Sequence, residues 1–147
     1  MAGQDPGEMT DPYDLRRFVD AQASVIEDVY GELRAGRKRS HWIWFIFPQV
    51  AGLGDSQMSK RFAIVSLPEA RAYLEHPILG PRLRKCTQLI LDIESRSIEM
   101  ILGHPDYLKF RSSMTLFSSA AADRGLFEAA LRKYFDGKPD PLTLAKL

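Results

Sequence analysis

Apolar side chains recur at steps of three and four along most of the chain, a spacing that selects helices. The first series is Leu15, Phe18, Val19, Ile26, Val29, Tyr30 and Leu33, with Asp11-Pro12 as N-cap and first helical residue and Ala35-Gly36 as its end. Asp14 would place favourable negative charge in its first turn. A short helix is predicted over Gln57 to Ala63, and Ser66-Leu67-Pro68-Glu69 reads as a capping box opening a helix that ends before Pro77. Pro81 opens another, with the stripe Leu83, Cys86, Ile90 and Ile93. Ser97 caps residues 98–102, which Gly103 closes. Asp106 starts a helix through Phe110, Met114 and Phe117 toward Ala121, Leu126 to Phe135 gives the next, and Asp140-Pro141 repeats the cap-and-proline signal. No hairpin dipeptide joins alternating strands and no period marks repeats. The expectation is an all-α fold, a compact orthogonal bundle of about six helices of unequal length over residues 11–147, behind a polar leader at residues 1–10.

Two stretches depart from this pattern. Gln22 sits on the stripe between Phe18 and Ile26, where an unpaired buried amide would cost about 1–3 kcal/mol. It is therefore either a structural amide pinning a neighbouring loop or the wall of a site. The second is the run Arg39 to Gln49, RSHWIWFIFPQ, whose six consecutive apolar residues suit a buried strand or a buried helical turn. Helical neighbours favour a short helix capped by Ser40 and stopped by Pro48. Burying each aromatic contributes roughly 1.5–3 kcal/mol, so core formation accounts for most of the run. Its ends ask for more: His41 and Gln49 flank it, and Trp42 and Trp44 each carry an N–H that needs an acceptor when buried. An aromatic wall edged by polar groups is the usual lining of a small-molecule pocket.

Composition narrows the function classes. A chain of 147 residues, 45% hydrophobic and 27% charged, suits one globular domain rather than a disordered chain or a membrane protein. The longest apolar run, Trp42 to Phe47, is too short to cross a bilayer, so no membrane partner is expected. A net charge of +1 creates no field that selects nucleic acid. The local cations Arg34, Arg37, Lys38 and Arg39 are better explained as complements to the carbonyl end of the preceding helix, which disfavours a nucleic-acid partner. Cys86 is the lone cysteine, excluding an internal disulfide and a multi-cysteine zinc site. With a polar, untargeted N-terminus it points to a reducing compartment, the cytoplasm. No metal-ligand spacing, phosphate loop or nucleophile elbow occurs, so neither a metal nor a cofactor is implied.

The second informative stretch is Asp106 to Phe117. Helical spacing sets Lys109 beside Ser112 and Ser113, and Arg111 beside Thr115. Two cations and three hydroxyls within two turns match what a phosphate or carboxylate ligand requires. The plainer reading is that the hydroxyls bond back to helix carbonyls and the cations are solvated.

Arg39–Gln49, His76–Leu83 and Asp106–Phe117 together resemble a bacterial and fungal family known as domain of unknown function 1810, sometimes labelled calpastatin. The resemblance runs from about Tyr13 to the C-terminus, with Ile43 and Phe110 standing where Met and Leu are common. It implies a compact helical domain and brings no established activity. The calpastatin label denotes a disordered inhibitor chain, at odds with this globular composition. The leading expectation is a domain that binds or processes an anionic small molecule, a nucleotide or sugar-phosphate. Its site would form where Trp42 and Trp44 meet Lys109, Arg111, Ser112, Ser113 and Thr115, with Gln22 and Gln49 fixing the ligand and His41 as acid or base. No acidic partner to His41 is visible, so no catalytic triad is read, and whether the protein is an enzyme stays open. The alternative, from another class, is a non-enzymatic protein-interaction or regulatory module.

Overall fold

The computed structural model describes residues 11–147; the leader expected at residues 1–10 lies outside them. Among the described residues the secondary structure is helical: α1 Arg16–Ala23, α2 Ile26–Arg34, α3 Ile43–Ile46, α4 Gln57–Arg61, α5 Leu67–Glu75, α6 Leu79–Leu91, α7 Ile98–Leu102, α8 Asp106–Ala120, α9 Gly125–Phe135 and α10 Pro141–Leu144. Val50 and Ile64 form an isolated parallel bridge, closed by Ile64 N–H to Gln49 O and Ala51 N–H to Ile64 O.

Ten helical segments replace the six or so expected. Four of the ten are five residues or shorter, and the predicted first helix is two. It breaks at Ser24-Val25 because its halves serve different neighbours: α1 packs on α3, whereas α2 buries Ile26, Val29, Tyr30 and Leu33 against α6. Its start also differs. Asp11 is not the N-cap and Pro12 not the first helical residue, since Leu15 holds the cap position; the Asp11 carboxylate still accepts from Leu15 N (2.7 Å) and Arg16 N (3.1 Å). The helix begins only at Arg16, and Asp14, at φ 51°, lies before it rather than in its first turn. The caps read at Ser66, Ser97 and Asp140 are all made, each side chain accepting from the backbone N–H three residues on.

The fifteen-residue α8 is the axis of the packing, touching α3, α5, α7, α9 and α10. It buries Phe110, Met114, Leu116 and Phe117. Phe117 meets Tyr73 of α5 and Phe127 of α9, and Phe110 meets Phe47 edge-on at 4.9 Å, so one helix carries much of the aromatic core. α5 and α6 approach closely at Gly80, where a Cβ would lie 2.1 Å from the Leu74 carbonyl oxygen. Only glycine admits that approach.

Candidate functional site

The aromatic run becomes α3 because Phe47 precedes Pro48, a position from which the helical region is disfavoured, and the turn ends there. Ser40 is not its cap. Trp42 occupies that position, and the Ser40 hydroxyl donates instead to Glu32 of α2. The same carboxylate accepts from Arg39 N (2.6 Å), Ser40 N (3.0 Å) and Trp42 Nε1 (3.0 Å), fastening residues 39–42 to α2. Burial pushes the Glu32 carboxyl upward, but the hydrogen bonds from Ser40, Arg39 and Trp42 outweigh it and hold the group at about 2. The sequence signal for Glu32 was the acceptor that a buried Trp42 must find.

Where α3 meets α8, the tryptophans are matched by lysines. The Lys109 ammonium lies 5.1 Å from the ring centre of Trp44, and that of Lys38 lies 5.1 Å from the ring centre of Trp42. Asp106 bridges the pair, with Oδ2 at 2.8 Å from Lys38 and Oδ1 at 3.9 Å from Lys109. Lys38 is therefore not a solvated complement to the carbonyl end of α2. Its side chain is 7% exposed, and the attraction of a part-buried carboxylate and an indole face draws it inward. Arg37 and Arg39 stay exposed, and Arg34 lies against Tyr30.

The other candidates separate into groups. Arg111 turns away from this junction and donates to the carbonyls of Lys138 and Pro139, both at 3.0 Å. Ser112 Oγ lies 3.1 Å from Asp140 Oδ2, and Thr115 Oγ1 accepts from Asp140 N at 2.8 Å while donating to Arg111 O. These three side chains fasten the C-terminal segment. Gln22 is buried and fully partnered: its amide nitrogen donates to Phe45 O (2.7 Å) and Tyr73 OH (3.2 Å), and its oxygen accepts from Arg82 (3.3 Å). It pins α3 to α5 and α6, the structural alternative of the two read for it. Gln49 is half-buried and borders a separate depression of about 290 Å³ with Arg17 and Lys60. His41 is exposed and makes no side-chain hydrogen bond among the described residues.

Two candidates are left without partners. Among the described residues, Trp44 Nε1 and Ser113 Oγ are the buried side-chain polar atoms with no hydrogen bond. Ser113 lies one turn beyond Lys109 on the same face of α8. Its neighbours Ser112, Thr115 and Ser119 return their hydroxyls to carbonyls four residues back, and Ser113 does not. Surface depressions of about 290 to 960 Å³ lie elsewhere and are not lined by His41, Trp44 or Lys109. No group of three or more His, Cys, Asp or Glu able to hold a metal, and no helix long and apolar enough to cross a membrane, occurs among the described residues.

A family model described as a protein of unknown function, DUF1810, matches residues 12–147. The chain belongs to this family. Both segments of the junction fall inside the DUF1810 match. A similar solved structure, the conserved hypothetical protein Rv1873 from Mycobacterium tuberculosis, is 55% identical and superposes with a TM-score of 0.92, covering 93% of this chain and 98% of that one. No curated protein matches the chain.

Proposed function

We propose that this DUF1810 protein binds a planar, anionic small molecule of the nucleotide or sugar-phosphate class at the α3–α8 junction. The observation that carries the reading is the pair of orphaned groups, Trp44 Nε1 and Ser113 Oγ, on the two elements that also bring Lys109 over the Trp44 ring. Each unpaired buried donor costs about 1–3 kcal/mol, and a ligand oxygen would remove that cost. Among the described residues Lys109 has a 3.9 Å contact to Asp106 and the Trp44 ring face; an anion that drew its ammonium off that ring would free an indole face for stacking. Lys38 fixes Asp106 and through it the resting place of Lys109. Arg111, Ser112 and Thr115, which the sequence places with the ligand, support the reading indirectly by anchoring the far flank of α8. Gln22 and Gln49 support it in the same way, as braces behind α3. A role for His41 as acid or base belongs to the same proposal. Nothing orients its imidazole in the free chain, so the ligand itself would have to supply that hydrogen bond.

Isothermal titration with AMP tests the proposal. The expected outcome is saturable binding that Lys109→Ala and Ser113→Ala each weaken about tenfold or more, with Arg111→Ala weaker only if the C-terminal segment detaches. Ser113→Ala should also leave the free protein as stable as before, or more so, because a lone buried hydroxyl is removed. Loss of stability with unchanged AMP affinity would mark Ser113 as structural and end the reading.

A further inference from the structure

We infer that the molecule carries a second anion site, separate from the α3–α8 junction, that takes the phosphoryl group of a phosphorylated small molecule. A groove of about 510 Å³ opens where α5 and α6 meet the turn between α8 and α9. Three guanidinium groups line it from three elements: Arg71 of α5, Arg84 of α6 and Arg124 at the N-cap position of α9. Its floor includes Ser119 and the small side chains of Ala120–Ala122, which let a ligand approach the backbone.

The three arginines have no acidic partner among the described residues. None forms an ion pair or donates a side-chain hydrogen bond among the described residues, and the contact made is that of Arg84 with the Phe127 ring, 5.3 Å from its centre. That stacking holds the Arg84 fork in place before any ligand arrives. Two carboxylates share the groove without neutralising it. Asp123 is turned to the backbone, accepting from Gly125 N–H at 3.2 Å, and Glu75 is in ion-pair contact with none of the three.

A structural purpose for these cations would be to complement the carbonyl end of α8. None of the three donates to those carbonyls. Arg124 is, moreover, at the end of the eleven-residue α9 where positive charge is unfavourable. An anion in the groove would resolve both conditions at once, neutralising the three like charges that line it and offsetting the one set at the N-terminal end of α9. Charge and planar forked donors together match the terminal oxygens of a phosphoryl group. The volume leaves room for a sugar beyond it.

The test is isothermal titration of the full chain with inorganic pyrophosphate at low ionic strength, where exposed charges are least screened. Saturable binding is expected, weakened about tenfold by Arg71→Gln and by Arg124→Gln, both exposed and remote from the core. Arg132→Gln, farther along α9, should leave the affinity unchanged. Ribose phosphate should compete with pyrophosphate. Absence of saturable heat, equal weakening by Arg132→Gln, or failure of ribose phosphate to compete each overturns the inference. Weakening by Lys109→Ala alone would overturn it too, while leaving the α3–α8 proposal standing.

Discussion

Every guanidinium N–H of Arg17 meets a protein oxygen: Nε bonds Arg61 O, Nη1 bonds Tyr13 O and Asp14 O, and Nη2 bonds Ala63 O and Glu69. Lysine has three donors where arginine has five, so Arg17→Lys leaves carbonyls unmet. A loss of about 1–3 kcal/mol in urea denaturation is expected. Glu32 makes a comparable knot, and its titration adds a pH signature. The folded carboxyl titrates at about 2 against an unfolded 4.5, so its stabilising contribution is complete above about pH 4.5 and is lost as pH falls toward 2. Glu32→Gln should therefore lower Tm at neutral pH and flatten the acid limb of a Tm-against-pH series across that window. At this scale the sequence was partly readable. Gln22 and Trp42 stood out because a buried polar atom must find a partner, but which partner depends on contacts between positions far apart in the chain. Glu32 and Asp106 look like ordinary helix-surface acids until α2 and α8 are brought against the 38–44 segment.

Asp140 shows how a side chain becomes an element-level device. Its carboxylate caps α10 through Thr143 N and meets Ser112, while its backbone N–H donates to Thr115, and the two bonds to α8 bind that element there. Asp140→Ala removes the cap and the Ser112 bond together, leaving the backbone bond to Thr115, and should cost about 2 kcal/mol, measured by urea denaturation, with faster amide exchange over residues 138–147. The α5–α6 contact is still less tolerant: Gly80→Ala puts a methyl group against the Leu74 carbonyl and should destabilise by about 1–3 kcal/mol, read as a fall in Tm. Helix existence was legible from periodicity, and caps from Ser66, Ser97 and Asp140, because both are local. The break at Ser24-Val25 was not, since apolar spacing continues across it and the reason for the break is the different partners of α1 and α2. Arg111 and Thr115 were read as ligand contacts because helical spacing shows neighbours on α8 and not the segment that folds back onto it.

For the molecule as a whole, the packing of α2, α5 and α9 on α6 leaves Cys86 no route to solvent. The thiol is 0% exposed, and burial pushes it up to about 12. Modification by a maleimide at neutral pH should therefore proceed only as fast as the protein opens, and should accelerate with urea in step with unfolding. The placement of the two tryptophans has an optical consequence. Both indoles stand two residues apart on one short turn, so the whole of the chain's indole emission originates beside the α3–α8 junction. One of them rests in contact with Glu32 and the other beneath a movable ammonium. The protein thus carries a built-in lamp at that spot, and with Trp42→Phe the remaining light comes from Trp44 alone, where a displaced Lys109 would change its colour and brightness.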